Sequence, residues 1–190
     1  MKPRTTLSDS FGTWIIRALE LLLLVLFCLA GACWLNAQAA PTARPVNAKT
    51  LTGKAAPGIV VSTLDGKQVS LADYKGKALI VNFWATLCGN CKLEMPWLAQ
   101  LREKYAAQGF EVLGIVTDNA PIEKIEALAR ESGVKYPVLV CNHATAQAYG
   151  GLPDLPESFF IDRPGRIVAE MDGADSKEQI EANIRKALRR

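Results

Sequence analysis

The sequence predicts an α/β fold: a central mixed sheet flanked by helices. Three observations carry that prediction. Residues 78–84 form a continuous apolar run broken only by Asn82, the pattern of a strand covered on both faces. Residues 88–107 then take on helical periodicity, and residues 110–117 form a second buried run, so strand, helix and strand follow one another as a right-handed βαβ unit. Between the first strand and its helix stand Cys88 and Cys91, spaced C-x-x-C.

The chain has 190 residues, 49% of them hydrophobic, enough for one well-cored domain with appendages. A net charge of +3, without a basic stripe carrying interleaved aromatics, argues against a nucleic-acid partner. Lys2, Arg4 and Arg17 precede an uncharged apolar run, residues 21–35, and small residues follow at 36–39, so residues 1–39 read as a signal peptide or signal anchor. As a helix that run spans only about 22 Å against a hydrocarbon core of about 30 Å. The charge-free stretch continues to Ala43, which keeps an uncleaved anchor open, and Ala30-Gly-Ala-Cys33 leaves a lipoprotein reading. Each reading exports the domain to the periplasm or the outer face of the cell membrane.

Residues 40–56, with Pro41, Pro45 and many alanines, read as a linker, leaving residues 57–190 as the folded domain. Residues 59–63 and 68–70 predict a β-hairpin extension turning at Asp65-Gly66. The helix after the cysteines is expected to carry Leu93, Trp97, Leu98, Leu101 and Tyr105 on one side, to kink at Pro96 and to stop at Gly109. Residues 121–149 then predict a helix–strand–helix insertion, with Gly133 ending its first helix. Beyond the Gly150–Pro156 loop, residues 158–162 and 166–171 predict two strands joined by an Arg163-Pro-Gly-Arg166 turn. Ser176 and Gln179 form a capping box for a last helix whose apolar face is Ile180, Ile184 and Leu188.

Export permits thiol oxidation. Outside the leader the cysteines are Cys88, Cys91 and Cys141, an odd number with two nearly adjacent, which points to chemistry and not to stapling. At a helix N-terminus, unpaired amides and the helix dipole stabilise the thiolate that attacks in disulfide exchange. Cys88 is therefore the candidate nucleophile and Cys91 the resolving thiol, the two forming a disulfide when oxidised. A zinc site would need four ligands, and only Cys141 and His143 could complete one; Cys141 reads as a small buried thiol and His143 as a loop or cap residue.

The segment V-N-F-W-A-T-x-C-x-x-C-x-x-E-x-P resembles the thioredoxin superfamily, in its exported branch related to TlpA, ResA and DsbE(CcmG). The later G-L-P-x-x-P-E-S-F-F-I-D-R-x-G-R-I-V is similar to the same branch, and the resemblance covers residues 52–190. It implies a thioredoxin-like fold and a protein disulfide oxidoreductase with no cofactor and no metal. It also implies that Pro156 is the cis-proline beside the dithiol, presenting Leu155 to a substrate chain. Trp84 matches the tryptophan packed against the active-site loop and joins Leu155 and Pro156 as a substrate-binding candidate. Glu94 matches an acidic residue that tunes or relays protons for the thiols, and is the third catalytic candidate.

Three residues depart from the pattern. Asn82 stands where cytoplasmic thioredoxins carry a buried aspartate, which leaves Glu94 as the proton partner. Leu87 replaces a tryptophan and Asn90 a proline. The resemblance implies client protein disulfides as partners, a membrane electron donor, a monomer, and reduction as the direction, cytochrome c maturation being one setting. Two alternatives are a peroxiredoxin-like peroxidase, whose Pro-x-x-x-Thr/Ser-x-x-Cys pattern this chain lacks, and a copper-delivery module using Cys88, Cys91 and His143.

Overall fold

In the computed structural model, which describes residues 50–173 and 175–189, the apolar run Ala78–Trp84 is a fully buried strand. The leader and most of the linker expected from the sequence lie outside the described residues. Numbered along the chain, the strands are β1 (Val60–Thr63), β2 (Gln68–Ser70), β3 (Ala78–Trp84), β4 (Phe110–Val116), β5 (Val138–Val140), β6 (Glu157–Ile161) and β7 (Ile167–Asp172). The helices are α1 (Gly89–Tyr105), α2 (Ile122–Glu131), α3 (His143–Ala148) and α4 (Lys177–Leu188).

One mixed sheet takes the order β2-β1-β5-β4-β3-β6-β7. The βαβ unit makes β3 and β4 parallel and β5 continues that direction, whereas β6, β7 and the β1–β2 hairpin pair antiparallel. β3 thus sits inside the sheet, and its C-terminal end is where α1 and the cysteines begin. The expected hairpin joins the sheet through β1 on β5, and the expected insertion supplies α2, β5 and α3.

Strand alternation sends β3 side chains to two apolar layers. Ala78 and Ile80 pack with Leu98, Leu101 and Tyr105 of α1 and with Ile180 and Ile184 of α4. Val81 and Phe83 pack on the other face with Ile115, Phe159 and Tyr149. Arg102 of α1 grips Glu111 of β4 with two N–H···O bonds of 2.8 and 2.9 Å. Tyr105 donates its hydroxyl to Glu181 of α4 at 2.6 Å, tying the two helices together.

Residues 53–56 run beside the start of β7: Gly53 N–H donates to the Ile167 carbonyl and Ile167 N–H to the Lys54 carbonyl. α1 continues unbroken through Pro96, and Gly109 ends the following short 3-10 turn in the left-handed conformation at φ 75°. The expected inner side of α1 needs correction. Leu93 is 61% exposed, while Cys91, Glu94, Met95, Leu98, Leu101 and Tyr105 are buried. Those six follow the 3.6-residue repeat from Cys91, and Leu93 falls outside it. At α4, Ser176 caps by accepting from Gln179 N–H at 3.2 Å. The reciprocal pair of a full capping box occurs instead between Ser70 and Asp73. Among the described residues no helix is long and apolar enough to cross a membrane.

Candidate active site

The site begins where β3 runs out. After Trp84 the chain turns, with Cys88 N–H donating to the Ala85 carbonyl at 3.1 Å. Thr86 is clamped to the neighbouring loop: its N–H and its hydroxyl both donate to Asp118 Oδ2, at 2.9 and 2.6 Å. Thr117 N–H reaches back to the Trp84 carbonyl at 2.9 Å. The two loops at this edge of the sheet are therefore fastened together before α1 starts.

Cys88 is the N-cap of α1, in extended conformation, and its sulfur accepts the Cys91 N–H at 3.1 Å. This is the capping role that serine or aspartate ordinarily fills, here performed by sulfur. The sulfurs of Cys88 and Cys91 are joined by a 2.05 Å disulfide across Cα atoms 5.3 Å apart. The two cysteines are not equivalent. Cys91 is 1% exposed, whereas Cys88 is only partly buried and adjoins Leu87, which is 82% exposed.

Beneath the disulfide lies an apolar cluster of Trp84, Cys91, Met95, Val116 and Ile125, against which Cys88 and Leu155 also pack. Trp84 is fully buried, so this substrate-binding candidate supports the loop from below and offers no surface to a client. The Leu155–Pro156 peptide is cis. Pro156 is buried and Leu155 half-buried, and the Pro156 carbonyl accepts from Gly173 N–H at 2.7 Å. The structure thus brings Cys88, Cys91, Trp84 and Leu155 into one cluster, with Pro156 next in the chain.

Glu94 lies one turn beyond Cys91 on the same helix face and is 2% exposed. Its Oε2 accepts from Asn82 Nδ2 at 3.2 Å, and the same amide nitrogen donates to Ser158 Oγ at 2.9 Å. Burial pushes the Glu94 carboxyl up to about 7; the Asn82 N–H acts against that rise and the charge of Asp175 adds to it. A carboxyl poised there can both take and release a proton near neutral pH.

Ser158, Asp118 and Tyr136 are not among the residues that the sequence marks for chemistry. Polar residues inside apolar strand runs, Asn82 and Ser158, were the available signal for the first. Cys141 is a free, half-buried thiol that donates weakly to the Asn142 carbonyl at 3.4 Å, and burial raises its proton affinity. His143 is exposed at the first turn of α3. Among the described residues no group of three or more His, Cys, Asp or Glu side chains is placed to hold a metal ion.

Residues 52–170 match the AhpC/TSA family. The chain belongs to this family. Thiol-disulfide oxidoreductase ResA of Bacillus thuringiensis subsp. konkukian (strain 97-27) is 37% identical to this AhpC/TSA-family chain over 135 residues, 70% of the chain and 77% of that protein. A solved structure of a putative thiol:disulfide interchange protein DsbE from Chlorobium tepidum superimposes with a TM-score of 0.65 at 31% identity, covering 72% of this chain and 97% of that one. A thioredoxin family thiol:disulfide interchange protein from Chlorobium tepidum TLS gives 0.63 at 33% identity, covering 78% and 99%. The fold is thioredoxin-like. This AhpC/TSA-family protein is a thiol–disulfide oxidoreductase, and its substrates are thiols and disulfides of client proteins.

Proposed function

We propose that the protein is an extracytoplasmic reductant of client disulfides, working as a monomer through Cys88, Cys91 and Glu94. The observation that carries this reading is the asymmetry of the pair: a partly exposed sulfur at the helix N-cap and a buried one beside a buried carboxyl. The Cys88 thiolate attacks one sulfur of a client disulfide, forming a Cys88–client mixed disulfide and releasing the other client sulfur as a thiolate. Cys91 gives its proton to Glu94 and attacks the Cys88 sulfur. That closes the Cys88–Cys91 disulfide and expels the second client sulfur, so two electrons pass from the dithiol to the client. The released client thiolates take up protons, one of them by way of Glu94.

Leu155 and Pro156 dock the client chain beside Cys88 in this reading, and Trp84 braces the loop beneath. Residues 1–39 export or anchor the protein, 40–56 space it from the membrane, and residues 57–190 carry the activity. A dithiol donor in the membrane restores the reduced state. The haem-binding cysteines of apocytochrome c are the client class suggested by the exported branch that the sequence resembles.

Direction is tested by equilibrium titration against thiol–disulfide buffers, followed through fluorescence of Trp84, which shares the apolar cluster with Cys91. A reductant gives a midpoint at or below about −200 mV, and a midpoint near about −120 mV would make the protein an oxidant.

A further inference from the structure

We propose that Ser158 and Tyr136 are positioning residues for Glu94, parts of a polar row built across the sheet beneath that carboxyl; the inference rests on the proposed role of Glu94 as proton partner. Strand register defines the row. Asn82 of β3 pairs with Ser158 of β6 on one side and with Gly114 of β4 on the other. The rows on either side are apolar: Ile80, Val112 and Phe160 on one flank, Trp84 and Val116 on the other. Polarity is thus confined to the level at which Glu94 meets the sheet.

Ser158 acts through Asn82. One amide nitrogen donates both to Ser158 Oγ at 2.9 Å and to Glu94 Oε2 at 3.2 Å. Holding the second N–H on Ser158 keeps the amide turned with nitrogen, and not oxygen, toward the carboxyl. The Asn82 carbonyl would repel an ionised Glu94, so the orientation fixed by Ser158 favours the carboxylate.

Tyr136 enters the row through a missing side chain. A Cβ on Gly114 would lie 2.8 Å from Tyr136 Cε2 and 3.3 Å from Trp84 Nε1, so the glycine leaves the space that the phenol ring and the indole N–H fill. The Tyr136 hydroxyl and Trp84 Nε1 are both buried with no hydrogen-bond partner among the described residues. Buried donors without an acceptor are costly, and the charge of an ionised Glu94, which reaches Tyr136, favours turning the free hydroxyl dipole toward it. Burial drives the Tyr136 phenol well above its ordinary range, and the Glu94 charge pushes it further in the same direction. The charged and titratable groups facing Glu94 are Asp175 ahead of α4, Tyr136 at the entry to β5, and Cys91 on its own helix.

The test uses the full-length chain in detergent, with 13C-labelled glutamate carboxyls and Glu94 assigned from Glu94→Gln. The wild-type Glu94 resonance is expected to titrate at about 7. Ser158→Ala and Tyr136→Phe each raise that midpoint by about one pH unit, and Ser158→Thr restores it by keeping the hydroxyl. Midpoints within roughly 0.2 of wild type in both folded variants would overturn the proposal. If Ser158→Ala fails to fold, Tyr136→Phe decides, because the retained ring keeps the packing over Gly114. The pH profile of disulfide exchange separates the two readings. A Glu94 midpoint that moves while the profile stays still supports the positioning role and removes Glu94 from proton transfer.

Discussion

The backbone N–H of Cys91 points at the sulfur of Cys88 from 3.1 Å, so the second cysteine of the pair helps to hold the first. In the reduced protein the same N–H is a donor ready for a thiolate, reinforced by the N-terminal end of α1. Cys88 is also the partly exposed member, with Cys91 buried beneath it. Iodoacetamide added to the reduced protein should therefore modify Cys88 at least about ten times faster than Cys91. Peptide mapping after a short pulse reads the ratio. Equal labelling would remove the asymmetry on which the assignment of nucleophile rests.

Glu94 makes stability depend on pH. Its carboxyl is raised from the ordinary 4.5 to about 7 in the fold, so between those values the folded state keeps a proton that the unfolded chain has released. Its contribution is complete below pH 4.5 and is lost as pH rises through 7, a change on the order of 3 kcal/mol. Urea unfolding of the protein at pH 4.5 and pH 8 measures the loss, and Glu94→Gln should flatten that part of the profile. A wild-type profile that rises over the same interval would contradict the buried placement of this carboxyl.

Thr86 and Asp118 set the position of the turn before Cys88. Thr86 is 1% exposed and its hydroxyl meets Asp118 Oδ2 at 2.6 Å, so Thr86→Val keeps the volume and deletes a charge-assisted bond. A loss of roughly 1–3 kcal/mol is expected in denaturant unfolding, together with slower exchange at Cys88. A loss under about 0.5 kcal/mol would mean that the loops hold together without this clamp.

Leu87 is 82% exposed immediately before the nucleophile, where burial cannot explain it. Leu87→Ala should leave stability within about 0.5 kcal/mol. Stopped-flow comparison should show exchange with a protein disulfide slowed more than exchange with a small disulfide. An equal effect on both would place Leu87 outside the client contact.

The strands and the dithiol were legible because their signals are local. An apolar run of strand length, two cysteines at fixed spacing and a glycine at a helix end each act within a few residues. The inner face of α1 departs from the expected one for a related reason. Leu93 is apolar and Glu94 charged, so hydropathy places the leucine inside, whereas the sheet below supplies a polar row at the level of Glu94. That row joins β6, β3 and β4 only after folding, and Ser158 and Gly114 lie 76 and 32 positions from Asn82 in the chain. The Thr86–Asp118 clamp was hidden in the same way, its two residues sitting on different loops. Long-range polar pairs of this kind leave no periodicity to read.

The decisive measurement is trapping with Cys91→Ser. This variant retains the Cys88 nucleophile but cannot resolve the mixed disulfide, so client proteins should accumulate covalently on Cys88 in the exporting host. They should be released by a dithiol and should be absent from Cys88→Ser/Cys91→Ser. A folded and exported Cys91→Ser protein that captures no partner through Cys88 would contradict client-directed disulfide exchange.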